Sequence, residues 1–88
     1  MPAHPIDAPL LFAARFETPT RYYVLRCGPD LFGDLVLSRC WGGKGSRRGG
    51  ASHQALPSWE AAERLIAQHV RLRTRRGYRV VSRADPDA

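Results

Sequence analysis

The sequence predicts a small α+β domain, an antiparallel β-sheet of four to five strands with one α-helix packed on one face. Three observations carry this prediction. Short apolar runs rich in branched and aromatic residues alternate with turn-forming clusters. Only one segment, between Ser58 and Gly77, keeps an apolar stripe at helical spacing. The chain has 88 residues, room for one compact unit that buries roughly 60 to 65% of its unfolded surface, and too few for a Rossmann enzyme or a TIM barrel.

The elements follow in order. Residues 1–9 carry three prolines without periodicity and, like 83–88, are expected to fray, which leaves a domain over 10–82. Leu10 to Glu17 reads as a strand, ended by Thr18-Pro19-Thr20 because proline cannot continue a ladder. Arg21 to Cys27 is a second strand. The turn-forming stretch Gly28 to Asp34 joins it to a third, Leu35 to Trp41, as an antiparallel hairpin. With Cys27 opposite Leu35 and Tyr22 opposite Cys40, the cysteines lie on opposite faces and about 15 Å apart, which excludes a disulfide. Alternation places Tyr23, Leu25, Leu35 and Leu37 on the core face, and Arg39 and Trp41 continue that face towards a half-exposed rim.

Gly42 to Gly50 reads as a flexible glycine-rich loop with three cations and no acid, followed by a short strand, Ala51 to Leu56. Ser58 is the expected helix N-cap, with Glu60 in the first turn and Gly77 at C′. The stripe Ala62, Leu65, Ile66, His69, Val70, Arg73 faces the core, and Arg64, Arg71 and Arg75 lie on another side. Tyr78 to Ser82 is the final strand.

Composition narrows the function. Hydrophobic residues at 43% and charged residues at 25% are those of a folded domain. Fourteen Lys plus Arg against eight Asp plus Glu give +6, which favours polyanionic partners. All the basic residues except Lys44 are arginines, a skew that a GC-rich genome also produces, so the net charge alone decides little. Two cysteines form no disulfide framework and no metal knuckle, and no leader or spanning segment is evident, so a cytoplasmic protein that needs no cofactor is expected.

Catalytic motifs fail on spacing. Taking Gly43-Lys44 as the Gly-Lys of a phosphate loop puts Ser38 where the leading glycine belongs and Gly45 where Ser or Thr belongs. A dinucleotide fingerprint from Gly43 ends on Arg48 instead of glycine. The cysteines and histidines form no nucleophile–base or zinc pattern, so no catalytic and no metal residue is expected. The remaining signal is basic and aromatic. Seven arginines and no acid lie between Arg64 and Arg83, and Lys44, Arg47 and Arg48 stand beside Trp41. An indole offers a flat surface for a sugar or base and cations offer phosphate contacts. A membrane-surface role for the basic helix is disfavoured, because its modest apolar face is needed for the core.

The segments Arg21-Tyr22-Tyr23, Leu31-Phe32-Gly33, Leu37-x-Arg39-x-Trp41-Gly42, the later Gly45 and Gly49, and Arg73-Thr74-Arg75-Arg76-Gly77-Tyr78, in this order and spacing, resemble the WGR domain family. That module occurs inside DNA-damage-activated poly(ADP-ribose) polymerases and as short free-standing bacterial proteins. The resemblance covers roughly Arg21 to Val80 and implies an antiparallel sheet with one helix and a module that binds without catalysing. It also implies that Trp41 packs near the terminal sugar of a DNA strand. The family's signature arginine, two residues on, is Gly43 here, and the apolar residue after it is Lys44. Lys44, Arg47 or Arg48 is expected to supply the missing cation; the alternative is that DNA binding is lost and only the fold remains. The expected nucleic-acid surface is therefore Trp41, Arg39, Lys44, Arg47 and Arg48, with Arg71 and Arg75 as outliers. A partner protein docking on the same Trp41 rim is the rival reading, since the family also packs against neighbouring domains.

Overall fold

A computed structural model describes residues 10–85; of the ends expected to fray, 1–9 and 86–88 lie outside the described residues, while Arg83 and Ala84 belong to the last strand. Six elements follow one another, β1 (Phe12–Glu17), β2 (Arg21–Pro29), β3 (Leu35–Gly43), β4 (Gly49–Leu56), α1 (Trp59–Arg75) and β5 (Arg79–Ala84). The strands form one antiparallel sheet in the order β4-β3-β2-β1-β5. This is the predicted α+β architecture with five strands. Since β4 and β5 are the two edges, α1 must cross the whole sheet. Its 17 residues span about 25 Å at ~1.5 Å per residue, enough for a five-strand width of about 19 Å.

Both helix ends are set by sequence. Extended Ser58 accepts the Ala61 N–H on its Oγ at 3.1 Å. At the other end the Tyr78 N–H reaches the Arg73 carbonyl at 2.9 Å and the Gly77 N–H reaches Thr74 at 3.1 Å, a Schellman closure with Gly77 at φ +89°.

Period-two alternation fills the space under the helix. Phe12, Ala14 and Phe16 of β1, Tyr23, Leu25 and Cys27 of β2 and Leu37 of β3 are buried against Ala62 and Ile66 of α1. Leu35, Leu65 and Val70 pack on this core from half-buried positions.

Three expectations are corrected. The β2–β3 register pairs Cys27 with Leu37 and Tyr23 with Trp41, two residues from the expected pairing, because the ladder continues through Gly28 and Pro29 to Leu35. An even shift keeps every side chain on its face, so Cys27 is buried and Cys40 is exposed on the opposite face. Their separation along the ladder is three residues, about 10 Å, and both are free thiols.

Second, the glycine-rich segment is not a long flexible loop. Gly42 pairs with Gly49 and Trp41 with Gly50, so only residues 44–48 turn. A Cβ on Gly50 would stand 2.6 Å from Trp41 Cζ2, and one on Gly49 would run into the Trp41 carbonyl, so these glycines are required by close strand packing. Third, the last strand begins at Arg79 and runs to Ala84, while Tyr78 precedes it with its ring against the core; the first strand likewise begins at Phe12, not at Leu10.

The molecule therefore has two unlike ends. One gathers the β1–β2 turn, the β3–β4 turn and the C-terminus of α1. The other holds the β2–β3 turn and the β4–α1 connection. The described helix is not long and apolar enough to cross a membrane.

Candidate functional site

The site is built where the core face of the sheet outruns the helix. Buried Tyr23 lies opposite Trp41 in the ladder, and their rings stack with centroids 6.3 Å apart and planes 19° apart. Arg39, two residues before Trp41 on the same face, sets its guanidinium 5.5 Å from the indole centroid and donates from Nη2 to Ser52 Oγ at 3.2 Å. Ser52 is its cross-strand partner.

The last turns of α1 close the other side. Arg73 places its guanidinium 4.2 Å from the Tyr23 ring and 5.2 Å from the Tyr78 ring, and those tyrosines meet edge to face at 6.3 Å. Arg39, Trp41, Tyr23 and Arg73 thus form a continuous sequence of cationic and aromatic planes. Arg73 Nε is buried and has no hydrogen-bond partner among the described residues. One turn earlier on α1, His69 lies with Nδ1 3.4 Å from the Tyr23 hydroxyl. Burial, and then the nearby Arg39 and Arg73 charges, hold its pKa below the usual histidine value, so the imidazole is neutral at pH 7.

These side chains frame a groove of about 570 Å³ between α1 and the β3–β4 hairpin. Five arginines line it: Arg21, Arg39, Arg48, Arg73 and Arg76. Tyr23, Trp41 and Tyr78 form its aromatic wall, and no carboxylate lines it among the described residues. Trp41 is half-buried, packed on the core and lining the groove. Gly43 lies on the groove wall without a side chain to fill it.

Of the residues expected from sequence, Trp41, Arg39 and Arg48 come together here. Lys44 does not. Its Nζ sits 2.7 Å from Glu17 Oε1, and its backbone N–H donates to the Thr20 carbonyl at 2.8 Å. Arg15 Nε donates to the other Glu17 oxygen at 2.7 Å, and these two partners, Arg15 first, lower the Glu17 pKa from its ordinary value to about 2. Arg47 is exposed in the β3–β4 turn and lines no part of the groove. Arg71 borders a separate cleft, and Arg75 is exposed outside both.

Arg21, Arg73, Arg76 and Tyr78 were not singled out from sequence as site residues. The available signal was an arginine, Arg73, standing on an otherwise apolar helical stripe. Arg21 is announced only by the register, which pairs it with Gly43.

Other chemistry finds less support. Cys27 is buried, which pushes its thiol up to about 11, well above the range of a reactive cysteine. His53 Nδ1 and Ser38 Oγ are 2.9 Å apart on the open face of the sheet, exposed and with no carboxylate bonded to the ring among the described residues. No cluster of three or more metal-ligating side chains occurs among the described residues.

Residues 12–85 match the family model described as the WGR domain, which is most of the chain and includes every residue of the groove. No curated protein and no solved structure matches significantly.

Proposed function

Because the chain belongs to the WGR domain family, we propose that it is a non-catalytic module that binds nucleic acid, DNA foremost, by its backbone or strand ends through the arginine groove. The observation that carries this reading is the convergence of five arginines and the stacked Trp41 indole on one groove that no described carboxylate lines. Guanidinium groups match phosphate bidentately, and the exposed part of the half-buried indole offers an apolar surface to a sugar or base. In this reading the arginines contact phosphates and the indole a sugar or base face, contacts that carry no sequence information.

In this reading, other arginines of the groove take the place of the signature arginine. Gly43 leaves the groove wall without a side chain, and Arg73 in the last turn of α1, Arg76 just after it and Arg48 near the β3–β4 turn line the same groove. A helix C-terminus repels anions through its exposed carbonyls, so arginines in and just after the last turn are what make this end of α1 compatible with phosphate. Lys44, held by Glu17, is a structural tie in this arrangement.

Fluorescence anisotropy with a labelled duplex between about 50 and 200 mM salt tests the proposal. Four to five phosphate contacts predict a log–log slope of about −3.6 to −4.5, an affinity loss of about 150- to 500-fold over that range. Absence of binding at low salt overturns it. Unchanged DNA affinity in Trp41→Ala, with loss of a bound protein partner, transfers the groove to the protein-docking reading.

A further inference from the structure

The end of the sheet away from the groove carries an apolar knob that packs into no core among the described residues. Between β2 and β3, Asp30 Oδ1 accepts the N–H groups of Phe32 and Asp34, each at 2.9 Å. The Asp30 N–H donates to the Asp34 carbonyl at 2.8 Å, and the Gly33 N–H to the Asp30 carbonyl at 3.1 Å. This closed turn holds Leu31 and Phe32 in water, 75% and 88% exposed. An ordered turn that displays two large apolar side chains is a feature of docking surfaces.

The same end offers a receptor. Between α1 and the β1–β5 edge lies a cleft of about 470 Å³ walled by Phe12, Trp59, Ile66, Ala67 and Val70. Phe12 pairs with Cys27 near the turn, and Trp59 follows Leu56, which pairs with Leu35, so the cleft opens at the knob's end of the molecule. Its rim carries Arg83, paired with Asp85, together with Glu63 and Arg71. Among the described residues neither Arg71 nor Asp34 of the knob has an ion-pair partner, and their charges are opposite.

We propose that a second copy of the chain occupies this cleft, the Leu31–Phe32 knob of each protomer seated in the α1 cleft of the other. Knob and cleft on one chain and at one end supply the self-complementary patch that a closed two-fold interface requires, with Asp34 facing Arg71 on each side. The contact is small beside a standard interface, so the dimer forms at micromolar or higher concentration. It leaves both arginine grooves at the outer ends, so one dimer holds two nucleic-acid segments if the proposed function is right.

Sedimentation velocity from about 10 μM to about 1 mM, without nucleic acid, tests the dimer independently of that function. The wild-type chain is expected to shift from monomer to dimer across the range. Phe32→Ser and Ala67→Lys alter exposed positions that do not support the fold, which far-UV circular dichroism checks. Each acts twice in a two-fold interface, and each is expected to weaken association by about 100-fold or more. A wild-type chain that stays monomeric at about 1 mM overturns the proposal, and so does a dimer that survives either substitution.

Discussion

Gly50→Ala separates the fold from the groove. A Cβ at this position would stand 2.6 Å from Trp41 Cζ2, 2.8 Å from Cε2 and 3.1 Å from Nε1, against an ordinary carbon contact of about 3.5 to 4.0 Å. The indole must move by about 1 Å or more, and since Gly50 flanks it from β4 and Tyr23 from β2, the move disturbs its stack on Tyr23. Overpacking costs about 1 to 3 kcal/mol in a closed core. Trp41 is only half-buried, which puts the cost below that of a closed core, and removing a strand glycine returns about 0.5 to 1 kcal/mol. The net loss is about 1 kcal/mol, a Tm drop of about 4 to 8 °C for a domain of this size. Binding suffers more, because a stacking platform is worth about 1 to 3 kcal/mol per base, or about 5- to 150-fold in affinity. Thermal circular dichroism and anisotropy at a temperature well below the transition read the two effects, and the Trp41 indole N–H resonance reports the displacement. A displaced indole with unchanged affinity refutes the role given to Trp41.

Arg73→Met keeps the apolar stem over Tyr23 and Tyr78 and removes the guanidinium, so Tm stays within a few degrees while the salt slope of binding falls by about 0.9. An unchanged slope limits Arg73 to packing. Lys44→Met leaves nucleic-acid affinity unchanged and alters acid stability instead. The Glu17 pKa lies below its unfolded value, so its contribution is present above about pH 4.5 and is lost as pH falls towards about 2. Without Lys44 the depression shrinks, and Tm declines less steeply between pH 5 and pH 2.5 than in the wild type; a slope as steep as the wild type's refutes the tie. Of the two thiols, Cys40 reacts rapidly with a disulfide reagent at neutral pH and Cys27 only on unfolding; two rapid thiols contradict the buried placement of Cys27.

The faces of the strands were legible in the sequence because side chains alternate with period two, and this located Tyr23, Leu25, Leu37 and the outward continuation to Arg39 and Trp41. Register was not legible for the same reason. Sliding the β2–β3 hairpin by two residues preserves every face, so alternation cannot distinguish Cys27 opposite Leu35 from Cys27 opposite Leu37. The helix ends were legible because Ser58 and Gly77 have local jobs. The glycines between Trp41 and Ala51 were misleading, since the same residue serves a slack loop and a tightly packed strand. Only the indole lying over Gly50 decides between them. Lys44 stands beside Trp41 in sequence yet answers to Glu17 on β1, a partner that only the folded sheet brings near. Arg73 was placed on the core-facing stripe, but its stacking on two tyrosines from two different parts of the chain is a tertiary fact.

A ¹H–¹⁵N NMR titration with a short duplex tests most directly whether the arginine groove is the nucleic-acid surface. Shifts are expected at the Trp41 indole N–H and at the Nε–H groups of Arg39, Arg48, Arg73 and Arg76, with the Leu31–Phe32 amides unmoved. Saturation with those groove signals unchanged, or shifts centred on the Leu31–Phe32 turn, would contradict it.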